Sequence, residues 1–159
     1  LKPVFFYTTF LSLSKYIYKM ARIKLDFSDK FLFSTIIPVR ITDLNYGNHL
    51  ANDKVLSIIH ESRIQFFQHY GYSELDFGGV SVIMGDVAIE YKNQAFYGDE
   101  LLIEIGVQDF SRVSFDVIYK ISTKDKLIAK AKTGIVTFDY QQNKVVEVPQ
   151  KIKDLFEVV

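Results

Sequence analysis

The 159-residue chain contains no cysteine, no tryptophan and only three prolines. Without a thiol it can form no disulfide, no thiolate nucleophile and no cysteine-based metal site. Its 19 basic and 19 acidic residues balance. No field of one sign is therefore available to hold a phosphate backbone, and we expect no nucleic-acid partner. The missing thiols fit a cytoplasmic protein, which is our expectation for its location.

The chain also lacks an apolar run long enough to span a bilayer, which takes about 20 residues. Its apolar N-terminal stretch, residues 1–19, is interrupted by three lysines, and no clear signal-peptide cleavage site follows. We interpret residues 1–22 as an N-terminal extension in which Met20 is a possible natural start, and residues 23–159 as one domain. The alternative is that the extension forms an amphipathic helix that docks on the domain or on a membrane surface.

Apolar and aromatic residues are abundant: 48% of the sequence is hydrophobic, with 14 Phe and 10 Tyr. This composition provides for a large core, an apolar cavity or a buried interface. The longest helical pattern runs from about Asn52, a suitable N-cap, to Tyr70, and Gly71 is a typical C-terminal cap. Apolar residues cover more than half of its circumference, which predicts a helix enclosed by other structure.

Strand patterns occupy most of the remaining chain, at 31–42, 80–92, 100–108, 113–121, 126–140 and 144–148. A terminal helix is predicted after Pro149. The connections at 96–99, 109–112 and 122–125 are short enough for hairpins. Because no helix separates the later strands, the pattern excludes a parallel doubly wound sheet. It predicts an α+β fold in which an antiparallel sheet of five or six strands wraps around one long central helix.

The most polar segment, DLNYGNHLAND at 43–53, directly precedes that helix. Asn45, Gly47 and Asn48 suit a tight turn, since Asn and Gly tolerate left-handed conformations. Asp43 is expected to bind backbone N–H groups of its own loop. His49 is either a packed histidine or a general base, because imidazole is the side chain best suited to accept a proton near neutral pH.

This segment resembles the signature of the hotdog-fold thioesterases, approximately D-x-D-x-x-G/N-x-H-V-N-N followed by a helix with E-x-R, here Glu61 and Arg63. It is most similar to the 4-hydroxybenzoyl-CoA and acyl-ACP thioesterases. The later stretch IEYKNQAFYGDEL at 89–101 is similar to the Y-x-x-P-A-x-Y-G-D-E-L motif of this family. The two motifs lie in the family's order, and the resemblance covers about residues 31–148.

The resemblance implies an antiparallel sheet around one long helix and active sites shared between protomers of a dimer or tetramer. The substrate would be an acyl-CoA or acyl-ACP thioester. CoA would be part of the substrate, and no cofactor is expected. No metal is expected either, since His49, His60 and Asp53 lack the spacing of a helical metal site.

The sequence departs from the family where most members carry their catalytic carboxylate, because that position is Asn45. A neutral amide cannot take a proton from water. The Asn, His and Glu of plant acyl-ACP thioesterases correspond to Gly47, His49 and Gln94, so only the histidine is retained. The resemblance therefore suggests a rearranged site with His49 as general base and Asn45 as a donor to the thioester oxygen.

In this hypothesis Glu61 or Asp53 orients the imidazole, and N–H groups at the helix N-terminus assist Asn45. The predicted catalytic residues are Asn45, His49, Asp53 and Glu61. The predicted substrate-binding residues are Gly47, Asn48, Leu50 and Asn52. Two alternatives stay open: a protein that binds acyl thioesters without fast hydrolysis and, less favoured because no GHFPG-type motif is present, a hotdog hydratase or dehydratase.

Overall fold

The computed structural model describes residues 23–27 and 29–157. The strands are β1 (Phe33–Pro38), β2 (Ser81–Tyr91), β3 (Glu100–Gln108), β4 (Ser114–Ser122), β5 (Leu127–Asp139) and β6 (Lys144–Val145). The helices are α1 (Asn52–His69) and α2 (Gln150–Phe156), and a 3₁₀ turn lies at Ile41–Asp43. The predictions for residues 1–22, including the start at Met20, lie outside the described residues. The single domain at 23–159 stays a prediction.

All six strands belong to one antiparallel sheet in the order β1-β3-β4-β5-β2, with β6 paired to the end of β5. This arrangement confirms the predicted α+β fold with an antiparallel sheet and one long helix. Pro38 ends β1 at one edge of the sheet, where the missing N–H of proline is tolerated. The strand β2 forms the other edge, and a bulge between Met84 and Asp86 interrupts its pairing with β5.

Helix α1 packs on one face of the sheet and buries one side against it. Val55, Ile58, Ile59, Phe66 and Phe67 are each at most 3% exposed and belong to a core shared with the strands. Full burial of such a side chain contributes roughly 1.5–3 kcal/mol. The opposite flank, which includes Asp53 and His60, is exposed. The helix is thus enclosed on its sheet side and open along the flank that faces the β2 edge.

Four local predictions were wrong. Ala51 is the N-cap of α1, and Asn52 is its first helical residue. The first strand ends at Pro38 and does not extend to residue 42. The connection at 96–99 does not form a hairpin, because β2 pairs with β5 at the far edge while β3 lies between β1 and β4. A short link between two strands can form a hairpin or can cross to another part of the sheet. Which of these occurs depends on the strands with which each of the two pairs. The last strand, predicted at 144–148, pairs only over Lys144–Val145. The hairpins at 109–112 and 122–125 are present.

Candidate active site

The polar loop ahead of α1 is anchored by Asp43, which is only 2% exposed. Its carboxylate accepts hydrogen bonds from the backbone N–H of Arg40 at 2.9 Å and from the guanidinium Nε and Nη2 at 3.0 Å each. These side-chain hydrogen bonds are the main reason that the pKa of the Asp43 carboxyl lies below its usual value. The Asp43 carbonyl accepts the Ala51 N–H at 2.9 Å. Asp43 therefore fixes where the loop starts and where α1 begins.

The middle of the loop is a tight turn built on Asn45. The Asn45 side-chain oxygen accepts the Gly47 N–H at 2.9 Å, and the backbone carbonyl of Asn45 accepts the Asn48 N–H at 3.0 Å. Asn48 has φ 60°, a left-handed conformation that asparagine tolerates. The Asn45 N–H donates to the His49 carbonyl at 3.0 Å and closes the loop. The turn chemistry expected of these residues is thus present.

The turn sets the His49 ring against the Asn45 amide. His49 Nδ1 lies 3.2 Å from the Leu50 carbonyl oxygen. Because a carbonyl only accepts, a neutral imidazole in this contact carries its proton on Nδ1, which leaves a lone pair on Nε2. Asn45 Nδ2 lies 3.4 Å from both ring nitrogens. Since the in-plane directions of the two nitrogens diverge, equal distances mean that the amide N–H group lies against the face of the ring.

The second motif folds onto this loop. The Leu50 N–H donates to the Ala95 carbonyl at 2.8 Å, and Val39, just after β1, exchanges hydrogen bonds with Gly98 and Asp99 at 3.0 and 2.9 Å. The segment between β2 and β3 therefore passes the N-terminal end of α1. The two sequence motifs are separated in the chain and joined in the fold.

Between these segments lies a cavity of about 220 Å³. It is lined by the apolar residues Leu50, Val55, Ala95 and Ile128 and by His49, Asn52, Tyr91, Lys92, Asn93 and Gln94. The imidazole thus borders an apolar space of the kind that small-molecule ligands occupy. Gln94, which the resemblance places where plant acyl-ACP thioesterases carry a glutamate, lines the same space.

Sequence reasoning did not single out Tyr91 as a functional residue. Its hydroxyl donates to the Asn52 carbonyl at 3.0 Å, which joins the end of β2 to the first turn of α1. Burial, and secondarily the charge of Asp53, raise the pKa of the Tyr91 phenol. Asp53 is exposed beside this junction and lines a second, larger groove along α1. The sequence pointed to Tyr91 only in that it is the first residue of the second motif's Y-x-x-P-A-x-Y-G-D-E-L pattern.

Glu61 lies farther along α1 and has other partners. Its carboxylate accepts the Gln65 side-chain N–H at 2.8 Å, and Gln65 in turn accepts the Thr35 hydroxyl of β1 at 2.6 Å. Arg63 donates from Nε and Nη2 to Glu74, at 3.1 and 2.8 Å. The structure therefore brings together Asn45, Gly47 and His49, with Asn52 and Asp53 adjacent. It does not bring Glu61 into contact with the imidazole, which the Leu50 carbonyl and the Asn45 amide hold instead.

Within the described ranges, 23–27 and 29–157, no group of three or more His, Asp or Glu side chains is arranged to hold a metal ion. In the same part of the chain, no helix has both the length and the apolar character needed to cross a membrane.

A family model described as the thioesterase-like superfamily matches residues 39–156. The chain belongs to this superfamily. Its sheet and helix are those of the hotdog thioesterase fold. The match covers the loop, α1 and the second motif, and the predicted membership of the hotdog-fold thioesterase family is confirmed.

Curated relatives agree with this assignment. The 1,4-dihydroxy-2-naphthoyl-CoA hydrolase of Microcystis aeruginosa is 28% identical over 102 residues, which cover 62% of this chain and 74% of that protein. The hydrolase of the same name from Nostoc punctiforme is 25% identical over 130 residues, with 80% and 86% covered.

Solved structures show the same fold. A 1,4-dihydroxy-2-naphthoyl-CoA thioesterase from Synechocystis superposes with a TM-score of 0.69 at 23% identity, covering 77% of this chain and 96% of that one. A protein from Aquifex aeolicus superposes with a TM-score of 0.71 at 20% identity, covering 79% and 99%. At these identities the superpositions describe the fold alone.

Proposed function

We propose that the protein hydrolyses an acyl-CoA thioester to a free acid and CoA, with His49 as the general base. The observation that carries the proposal is the His49 imidazole, whose Nδ1 proton is held by the Leu50 carbonyl at 3.2 Å while the ring borders an apolar cavity. An imidazole held in this way keeps Nε2 as a proton acceptor. The cavity offers a place for the acyl group next to that acceptor.

The proposed reaction needs one base and one donor. Nε2 of His49 takes a proton from water as the water oxygen attacks the thioester carbon. The Asn45 amide N–H and the backbone N–H groups at the N-terminus of α1 stabilise the negative charge that develops on the carbonyl oxygen. The carbon–sulfur bond then breaks, and the imidazolium returns its proton to the departing thiolate, which gives the acid and the thiol.

The other predicted residues have supporting parts in this scheme. Gly47 leaves room between the Asn45 and His49 side chains, and Asn48 supplies the left-handed turn that brings His49 back to Asn45. Leu50 and Asn52 line the cavity. Of Asp53 and Glu61, Asp53 is nearer to His49 in sequence. It lies next to the hydrogen bond that joins Tyr91 to Asn52. The role predicted for Glu61 lacks a supporting contact.

An aromatic acyl-CoA is the substrate class that the relatives favour, because the hydrolases from Microcystis and Nostoc carry 1,4-dihydroxy-2-naphthoyl-CoA in their names. The cavity is consistent with this class, since an apolar cavity of about 150 Å³ is enough for benzene. Their names also favour CoA over an acyl carrier protein as the thiol. We therefore place aromatic acyl-CoA first and acyl-ACP second.

We also propose that the site is shared between two copies of the chain in a cytoplasmic homodimer or dimer of dimers. The strand β2 supports this proposal, because it is an 11-residue edge strand with exposed Met84, Val87 and Tyr91. Long apolar edges of this kind pair with another strand unless they are protected. Light scattering, which measures the mass of the protein in solution, tests this proposal. A monomer with full activity would contradict it.

The function is tested with a thiol-release assay over a panel of aromatic and aliphatic acyl-CoAs, using the wild type and His49→Gln. Glutamine keeps a polar side chain of similar reach but cannot act as a base. We expect hydrolysis well above the spontaneous rate and a loss of about 10²–10⁴-fold in kcat for the variant. Tight binding of acyl-CoA without hydrolysis would show a binding protein instead. Hydrolysis that is equal in both proteins would exclude His49 as the base.

A further inference from the structure

A segment ahead of β1 crosses the outer face of the sheet, the face opposite to α1. We call its described residues the strap: 23–27 and 29–32. The Leu25 N–H donates to the Glu90 carboxylate of β2 at 3.1 Å. At the other end, the Leu32 N–H donates to the Ile105 carbonyl of β3 at 2.8 Å. Since β5 and β4 lie between β2 and β3, the strap crosses four strands.

Two lysines of the sheet contact the middle of the strap. Lys120 and Lys130 are direct neighbours across β4 and β5, a pairing of like charges that is unfavourable on its own. The centroid of the Phe27 ring lies 4.9 Å from the Lys130 ammonium, and that of the Phe31 ring lies 5.4 Å from the Lys120 ammonium. The Asp29 carboxylate lies 4.0 Å from the Lys120 ammonium. The strap thus supplies two aromatic faces and a negative charge to the lysine pair.

The sheet leaves room for the strap at Gly106. A Cβ at this position would collide with the Lys30 carbonyl oxygen and would lie 3.2 Å from the Ile118 side chain. Even the smallest side chain would therefore push the strap away from β3. Ile118, which pairs with Gly106 across the strands, is only 1% exposed. The absence of a side chain at Gly106 lets the strap lie against the sheet.

Glu90 joins the strap to the cavity beside His49. Its side chain is 15% exposed, and one carboxylate oxygen accepts the Leu25 N–H while the other accepts the Lys92 ammonium. Lys92 and the neighbouring Tyr91 line the cavity. Because Glu90 projects from the outer face, pairing of a second copy along the β2 edge leaves these contacts in place. One carboxylate is therefore shared between the strap and the cavity wall.

We propose that Glu90 is a positioning residue through which the docked strap holds the cavity wall at residues 91–95 in place. The inference rests on the proposed function, in which the acyl group enters this cavity. When the strap leaves the sheet, Glu90 loses one of its two partners, and the Lys92 ammonium is no longer bound to a fixed carboxylate. The wall then loosens and the substrate binds more weakly. His49 and Asn45 belong to a different loop, so substrate that is bound reacts at the same rate.

Two substitutions release the strap by different routes. Gly106→Ala displaces the Lys30 carbonyl from the side of the sheet. Phe27→Ala removes a ring from the strap and leaves the sheet unchanged. Leu102→Ala is the matched control, because it shortens another side chain on the outer face of β3, one that is 38% exposed.

Glu90→Gln tests the link from the other end. Glutamine can still accept the Leu25 N–H but carries no charge for the Lys92 ammonium. Two strands separate Glu90 on β2 from Gly106 on β3, which corresponds to about 14 Å. Substitutions this far apart normally have additive effects. If the strap connects the two positions, the double variant Gly106→Ala/Glu90→Gln binds substrate no more weakly than the weaker-binding single variant.

Amide hydrogen exchange, measured by NMR, follows the strap and the wall without a substrate. The Leu25 N–H reports on the strap, and the Lys92 and Asn93 N–H groups, which both donate to the Ile128 carbonyl, report on the wall. The Asn45 N–H reports on its own loop. Calorimetry gives the dissociation constant of S-phenacyl-CoA, a thioether in which a methylene between sulfur and carbonyl blocks hydrolysis. Thiol release from benzoyl-CoA gives kcat and KM.

The proposal predicts faster exchange in both the strap and the wall of Gly106→Ala and Phe27→Ala, with the Asn45 N–H unchanged. The dissociation constant and KM should rise roughly three- to tenfold, which is the contribution of about one hydrogen bond. The value of kcat should stay within about twofold, since only binding is weakened. Glu90→Gln should loosen the wall and weaken binding by a similar factor. Leu102→Ala should match the wild type in every measurement.

Wall amides that keep their wild-type exchange rates when the Leu25 N–H exchanges faster overturn the proposal. Losses of affinity that multiply in the double variant also overturn it, because the two positions then act independently. An effect of Leu102→Ala as large as that of Gly106→Ala, or an unchanged affinity for S-phenacyl-CoA in a protein with a loosened wall, has the same consequence. If the wild type neither binds the thioether nor hydrolyses any acyl-CoA, the proposed function is wrong, and the exchange rates of the wall still decide whether the strap holds it.

Discussion

Gly47 offers a direct test of the arrangement of Asn45 and His49. Its φ lies outside the left-handed region, so the backbone accepts alanine without strain. The added Cβ would lie 3.0 Å from Asn45 Oδ1 and 3.3 Å from both Cδ2 and Nε2 of His49. These distances are shorter than ordinary carbon contacts, so the amide, the imidazole or both must move by a few tenths of an ångström. Gly47→Ala therefore displaces the proposed base and donor without removing either.

The size of the effect follows from this displacement. A misplacement of 1 Å costs about 10²-fold in rate, so a shift of a few tenths of an ångström should lower kcat by roughly three- to tenfold. The folded state should change little, because Gly47 is exposed and a glycine-to-alanine change at a compatible site stabilises by about 0.4–1 kcal/mol through the unfolded chain. We expect a fall in kcat with the free energy of unfolding unchanged within about 1 kcal/mol.

Thiol release gives kcat, and urea denaturation followed by circular dichroism gives the free energy of unfolding. Tyr46→Ala is the matched control, since Tyr46 precedes Gly47 in the same loop and its side chain is fully exposed. Its kcat should stay within about twofold of the wild type. An unchanged kcat in Gly47→Ala would refute the reasoning, because the crowded pair would then not be the reacting pair. A large loss of stability would mean that the loop resists the change as a whole.

Two further substitutions probe neighbouring residues. Asn45→Asp should lower kcat by about tenfold or more, because a carboxylate would face the developing oxyanion; a rise in kcat, measured by thiol release, would instead favour a carboxylate mechanism in a chain that had lacked one. Asp43→Asn should lower the free energy of unfolding by about 1–3 kcal/mol at neutral pH, since buried hydrogen bonds to Arg40 are lost. Because the pKa of Asp43 is lowered in the folded state, its contribution is present above the usual carboxyl pKa and disappears as the pH falls through the folded value. Urea titrations at neutral and acidic pH should therefore show the difference between wild type and variant shrinking in acid, and a constant difference would contradict this account.

The fold could be predicted to the extent that local patterns determine it. The alternation in 100–108 and 113–121 and the apolar circumference of the helix at 52–70 each depend on nearby residues, and the structure confirms these elements. The connection at 96–99 depends on which distant strand β2 joins. Nothing in its own residues distinguishes a hairpin from a crossing, so the prediction there was wrong.

The candidate site also has parts that nearby residues predict and parts that depend on distant contacts. The loop around Asn45 and His49 could be predicted because its turn chemistry and motif are local. Glu61 could have been separated from this loop by helix geometry, since eight residues beyond Asp53 correspond to about 12 Å along the axis. Tyr91 could not be found in this way, because its importance arises only when the end of β2 meets the first turn of α1.

The orientation of the Asn45 amide bears on why asparagine stands where the resembling family carries a carboxylate. Its oxygen accepts the Gly47 N–H at 2.9 Å, and an aspartate oxygen would accept that bond equally well. A tight turn alone therefore does not require asparagine. Its nitrogen lies 3.4 Å from both His49 ring nitrogens, where aspartate would place a second acceptor. Only the nitrogen distinguishes the two residues, and it faces the imidazole. In the proposed mechanism, asparagine therefore supplies a donor where the family signature has a carboxylate, and His49 accepts the proton.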